Sequence, residues 1–152
     1  MVTIPQYPRG PAVLVHEHVT GGGVDDEAIP STWLAEGSAM RLALAHDFAA
    51  SGARVAMTLD ARMPDEHGPW RIERIEPGSA SGALPGLVRR ADFTIAVAPE
   101  TRGTLRNLAA SIARAGGRSL GSPPKAIDLT ADKLRLAAHL TRAGVHSPTS
   151  IR

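Results

Sequence analysis

Short apolar runs bounded by turn residues alternate along the chain with longer stretches whose apolar positions recur at helical spacing. Ala12–Glu17 (AVLVHE) follows a Pro/Gly-rich lead-in and reads as a buried strand. A loop from His18 to Ser31 contains Gly21-Gly22-Gly23 and Asp25-Asp26-Glu27, and Ser31 suits the N-cap of a helix over about Thr32 to Ala50. Trp33, Leu34, Met40, Leu44 and Phe48 supply the apolar stripe of that helix, and Gly52 its stop. Arg54–Asp60 (RVAMTLD) reads as a second strand. Residues 61–90 carry Pro64, Pro69, Pro77 and Pro85 with many glycines, and only Trp70–Ile75 reads as a strand there. Asp92–Ala98 (DFTIAVA), ended by Pro99, is the clearest strand. A helix over about Glu100 to Ala115 follows, closed by Gly116-Gly117. Arg118–Gly121 fits a short strand, Pro124–Leu129 a helical turn, and Thr130–Ala143 a last helix that Thr130 caps.

Strands alternating with helices predict an α/β fold: a Rossmann-like three-layer arrangement around a parallel sheet with right-handed crossovers. Such sheets bind ligands beyond the carboxyl ends of their strands. Those ends are His16-Glu17-His18 with the glycine loop, Leu59-Asp60, and Ala98-Pro99-Glu100.

Composition narrows the class. With 152 residues and 43% hydrophobic content, one domain with its own core is expected. No run approaches the roughly 18 apolar residues of a membrane helix. The start MVTIPQYPRG lacks the basic-then-apolar pattern of a secretory signal, so cytoplasmic residence is the expectation. The absence of cysteine excludes a disulfide framework and thiolate metal sites. Aromatic content of 3% leaves little for the stacking platforms of single-strand or RNA binding.

The net charge of +2 hides a lopsided distribution. Residues 1–76 hold 6 basic against 11 acidic residues, a net of −5, while residues 77–152 hold 11 against 4, a net of +7. The arginines of the basic half are spaced along amphipathic stretches with no continuous run. Nucleic-acid binding therefore ranks below binding of small anions or plain solvation.

Gly21-Gly22-Gly23 is not the G-x-G-x-x-G fingerprint: Val24 and acids follow it, and the helix begins several residues later. It reads either as a flexible loop or as one that contacts substrate. His16, His18, Asp25 and Asp26 admit a metal reading, and with it a metal-dependent hydrolase. A His16 packed beneath a helix explains the same residues better. Glu100 opens the helix after a strand, where a carboxylate can satisfy free backbone N–H groups. Lys133 stands out because the chain uses 15 arginines and only two lysines. A cation in the first turn of a helix opposes its dipole, and a compact ammonium suits phosphate contacts; a surface pair with Asp128 or Asp132 is the bland explanation. No nucleophile–base pair, G-x-S-x-G elbow or P-loop is present, so no catalytic residue is assigned.

Gly121-Ser122-Pro123, Ile127-Asp128-Leu129-Thr130-Ala131-Asp132-Lys133 and Ala143-Gly144-Val145-His146-Ser147-Pro148-Thr149 resemble the ATP-grasp superfamily at the end of its N-terminal domain. HEHVTGGG (His16–Gly23), WLAEGSAM (Trp33–Met40) and VAPETRGTL (Val97–Leu105) resemble the branch that includes tyramine–glutamate ligases. The resemblance implies an ATP- and Mg²⁺-dependent ligase that activates a carboxylate as an acyl phosphate and couples it to an amine. It carries an ATP-binding role onto Lys133, a substrate-side role onto Thr20, Gly21, Gly22 and Gly23, and weaker substrate-side roles onto Glu17 and Glu100. The second lysine, glycine-rich lid, adenine-contacting strand and magnesium ligands of the family would lie downstream of Arg152. The expectation is thus a pre-ATP-grasp domain over residues 1–146 and the start of a linker over 147–152. ATP and Mg²⁺ would serve the full ligase, with none held tightly by this chain, which would be inactive alone and carry no metal ligand. Its partners would be the ATP-grasp lobes, in the same chain or another subunit, and a small carboxylate or amine substrate. Neither nucleic acid nor membrane is implied, and a homodimer is a further option. The competing reading is a non-catalytic Rossmann-like module that binds a small anion or a protein partner.

Overall fold

The computed structural model describes residues 10–25 and 28–148. Four strands, β1 (Ala12–Glu17), β2 (Arg54–Asp60), β3 (Trp70–Ile75) and β4 (Phe93–Val97), form one all-parallel sheet in the order β3–β2–β1–β4. Helices α1 (Ser31–Ala50), α2 (Ala80–Val88) and α3 (Thr104–Arg114) supply the outer layers, and α4 (Pro124–Thr130) and α5 (Lys133–Arg142) follow. The register runs Val13↔Val55 and Val13↔Phe93 across the centre, and Val55↔Trp70 to the edge. This is the expected Rossmann-like three-layer fold.

Period-2 alternation assigns the two faces. Val13, Val15, Val55 and Met57 pack with Ala45 of α1, while Leu14 and Ile75 pack with Ala80, Leu84, Leu87 and Val88 of α2 and Ile112 of α3. Small aliphatic side chains fill both layers, which is how so few aromatics suffice.

Several elements depart from the sequence reading. Trp33 and Met40 do not face the core: they are 55% and 38% exposed, and the buried positions of α1 are Gly37, Arg41 and Ala45. That i, i+4, i+8 line is the helix face over the sheet: Gly37 and Arg41 cover the polar carboxyl end of β1, while Ala45, with Leu44 and Phe48 of the predicted stripe, packs on the apolar layer. Ser31 makes no capping bond and is the first residue of α1, behind Pro30. Helix α2 occupies part of the stretch that read as irregular. Its buried Ala80, Leu84, Leu87 and Val88 have helical spacing, which Gly82, Pro85 and Gly86 obscure in the sequence. Arg118–Gly121 provides only an isolated bridge from Ser119 to Thr94. Asp132, not Thr130, caps α5, accepting from the amides of Leu134 and Arg135 at 3.0 Å each, whereas the Thr130 hydroxyl donates back to Ala126 O.

The connection from β2 to β3 spans residues 61–69 without a helix, shorter than the dozen or so residues usual between parallel strands. Side chains hold it in place. Arg41 of α1 reaches Glu66 at 2.7 Å, and Arg74 of β3 donates to Asp60 O at 3.1 Å and Met63 O at 2.6 Å and pairs with Asp65.

Candidate functional site

The sheet order reverses between β1 and β4, so the crevice beyond their carboxyl ends is where this architecture holds ligands. The two ends are stitched by His18 N donating to Val97 O at 2.9 Å. From β1 the chain turns through His18–Gly22, and from β4 it passes Pro99 and Glu100 into a 3-10 turn, Thr101–Gly103, before α3.

Glu17 governs the glycine loop from below. Its side chain is buried, and it accepts from the Val19 amide at 3.0 Å, the Thr20 amide at 2.7 Å and the Thr20 hydroxyl at 2.7 Å. A carboxylate bonded this way turns the chain back on itself immediately after β1 and neutralises donors that would otherwise be buried unpaired. The structure therefore places Glu17 and Thr20 beneath the loop surface. Gly21 and Gly22 are also buried, while His18 and Gly23 are half-buried at the crevice. Gly21 is sterically required: a Cβ there would meet Thr58 Oγ at 2.5 Å and His16 Nδ1 at 3.0 Å.

Arg41 ties this loop to its neighbours. Its guanidinium is fully buried and donates to Thr20 O at 3.0 Å, Thr58 O at 3.3 Å and Glu66 Oε1 at 2.7 Å. Burial pushes its pKa down, and the carboxylates of Glu66 and Glu17 oppose that shift. One side chain thus fixes the positions of the glycine loop, β2 and the 61–69 connection.

His16 stands on the opposite face of β1, with Nδ1 2.8 Å from Thr58 Oγ and Nε2 buried without a partner. Burial, then the proximity of His18 and Arg41, lowers its pKa to about 3, so the ring is neutral. Burial lowers the pKa of His18 as well, against the pull of Glu17. At the end of β2, burial alone would raise Asp60, but hydrogen bonds from the Arg62 side chain and amide, all at 2.9 Å, hold it below its usual value.

Among the described residues no group of three or more His, Cys, Asp or Glu could hold a metal ion. Asp26 of the metal reading lies outside the described residues. Glu100 is exposed and makes no capping bond, and the 3-10 turn separates it from α3. Within that turn Arg102 adopts φ 56°, the one non-glycine residue with positive φ among those described. Lys133 is the first residue of α5 and is exposed. Asp128, its candidate partner, faces Arg106 at 3.5 Å. Lys133 thus lies at the junction of α4 and α5. Sequence reasoning passed over Arg41, Thr58 and Glu66. The trace they leave is an arginine four residues after Gly37 and four before Ala45.

Residues 53–127 match the family of the pre ATP-grasp 3 domain. The matched segment runs from the lead-in of β2 to α4. It includes Glu100 but neither the glycine loop nor Lys133. The match covers just under half of the chain. A crystal structure of a protein from Archaeoglobus fulgidus, described as belonging to that superfamily, superposes with a TM-score of 0.71 over 92% of this chain at 20% identity, which shows the shared fold. The chain spans 42% of the length of that structure. No curated protein matches the chain.

Proposed function

We propose that this chain is the substrate-side, pre-ATP-grasp domain of an ATP-dependent carboxylate–amine ligase. The observation that carries the proposal is the pre ATP-grasp 3 match over residues 53–127, on a fold shared with a superfamily protein more than twice as long. In this reading residues 1–146 form the domain, and the linker toward ATP-grasp lobes starts at 147. The motifs at His16–Gly23, Trp33–Met40 and Val97–Leu105 favour the branch with tyramine–glutamate ligases. Partners are the lobes and a small carboxylate or amine.

The ligase chemistry requires ATP and Mg²⁺, which the superfamily uses to form an acyl phosphate. Among the described residues the acidic and histidine side chains do not assemble a Mg²⁺ site, and no chemical step is assigned to this chain. Its own residues bind and orient. Glu17 and Arg41 act as positioning residues that hold Thr20 to Gly23 in one shape, and Glu100 brings a free carboxylate to the crevice on the β4 side. Lys133 would approach ATP phosphates once the lobes are in place.

Amide chemical shifts of the chain titrated with amino acids, simple carboxylates and amines test the substrate-side role. Saturable shifts at His18, Gly21 to Gly23 and Glu100 to Gly103 are expected. A micromolar response to a dinucleotide at those residues, with none to amino acids or amines, would favour the non-catalytic binding module instead.

A further inference from the structure

A second cleft opens at the other end of the sheet, beyond the amino-terminal halves of β1, β2 and β3. Its volume is about 410 Å³, within the range of small-molecule sites, roughly 300–1,000 Å³. The reason it exists is architectural. Helix α2 has nine residues and so covers about 14 Å, whereas the seven residues of β2 extend about 23 Å. The β2–β3 connection adds no helix, so this part of the sheet face is left open beside the last turn of α2.

The floor is apolar: Leu14, Ala56 and Leu87 line it. The rim is cationic: Arg54, Arg71 and Arg90 surround a single carboxylate, Glu73, giving the lining a net charge of +2. Glu73 pairs with Arg71 and is 3.5 Å from Arg90, so two guanidiniums share one carboxylate. The Nε of Arg54 donates to Gly10 O at 3.3 Å. Guanidiniums with donors to spare match the planar fork of a carboxylate or a phosphate. The carbonyl end of α2 opposes an anion here, but that effect fades within one helical turn.

We propose that this cleft binds a small organic anion with a hydrocarbon body, its acidic group on Arg71 and Arg90 and its apolar part on Leu14, Ala56 and Leu87. The site is at the opposite end of the sheet from the crevice and does not depend on the ligase reading.

Octanoate, 1-octanol and octylammonium titrated separately against the full chain test it by amide chemical shifts. Octanoate should shift Ala56, Leu87 and Ala91 saturably, with octanol at least about tenfold weaker and octylammonium without effect. The exposed double substitution Arg71→Gln with Arg90→Gln should weaken octanoate by about tenfold or more and leave the thermal midpoint nearly unchanged. Equal binding of the three probes, or shifts confined to other residues, would overturn the assignment. Octanoate binding that appears only after deletion of residues 1–9 would assign the cleft to that segment and overturn it equally.

Discussion

Glu17 and Gly37 touch where no side chain could intervene: a Cβ on Gly37 would come within 2.5 Å of Glu17 Oε2 and 2.9 Å of its carboxyl carbon. Helix α1 can approach β1 this closely because its fourth-spaced line begins with glycine. The contact seals the carboxylate against water and commits it to the glycine loop. Gly37→Ala should therefore lower stability despite the better helix propensity of alanine, which is worth about 1 kcal/mol. Overpacking against a buried carboxylate typically costs about 1–3 kcal/mol, so a net loss of roughly 1 kcal/mol is expected in urea denaturation. An increase in stability would show that Glu17 is not held as described.

Glu17→Gln tests the loop itself. The amide keeps one acceptor but sets an NH₂ against the Thr20 amide and hydroxyl, which both donate to the carboxylate in the native fold. Loss of charge-assisted bonds to buried donors should cost about 2–3 kcal/mol. Hydrogen exchange at Val19 and Thr20 should accelerate more than exchange in β4. Uniform acceleration would mean the side chain has no local role.

Arg41 and Glu66 couple the loop to the 61–69 connection. Glu66→Ala leaves a buried guanidinium without its carboxylate, and removing one partner of a buried pair costs roughly 3–5 kcal/mol. Glu66 is 16% exposed, which puts the expectation near the lower end, about 3 kcal/mol. Chemical denaturation reads the loss, and amide shifts at Thr20 and Thr58, whose carbonyls Arg41 holds, should move with it.

His16 sets an acid limit. In the fold it stays neutral to about pH 3, whereas the unfolded side chain titrates near 6.5. Above pH 6.5 neither state holds the proton and stability does not depend on this residue. As the pH falls below 6.5 the unfolded chain gains a proton that the folded one lacks. Stability is then lost by up to about 1.4 kcal/mol per pH unit. The lowered His18 adds in the same direction, while Asp60 contributes only at lower pH, around and below 3.8. Urea midpoints at pH 7.5 and 5.5 should differ for the native chain and differ less for His16→Asn. Parallel shifts in both proteins would contradict the assignment.

Much of the fold is legible in the sequence because β-branched apolar runs and their Gly/Pro boundaries are local properties. The limits of β1, β2 and β3 and the parallel arrangement follow from them. The buried side of α1 is not legible in the same way. Leu44 and Phe48 pack against the core beside Ala45 as the stripe predicts. Trp33 and Met40, however, are exposed, and the first half of the helix packs through Gly37 and Arg41 because it covers the polar end of β1. Helix α2 is hidden by Pro85, whose missing N–H is tolerated in a short helix held by Leu84, Leu87 and Val88. Of the candidate site, the sequence locates the glycine loop, Glu17 and Glu100 at strand ends. The hydrogen bonds that turn Glu17 inward, and the arginine that joins three segments, depend on contacts between residues up to 25 positions apart.

Lys133→Ala separates its two explanations. Exposed at the start of α5, Lys133 should contribute less than about 0.5 kcal/mol to the stability of this chain. In a ligase that includes the lobes, the same substitution should raise the KM for ATP several-fold. A large loss of stability with no change in KM would make it a structural residue.

ATP turnover, followed as ADP and phosphate release, tests the central claim most directly. Residues 1–152 alone should release neither above background. With ATP-grasp lobes joined to it or supplied as a second subunit, release should require a carboxylate and an amine together. Sustained ATP hydrolysis by residues 1–152 alone would contradict the account.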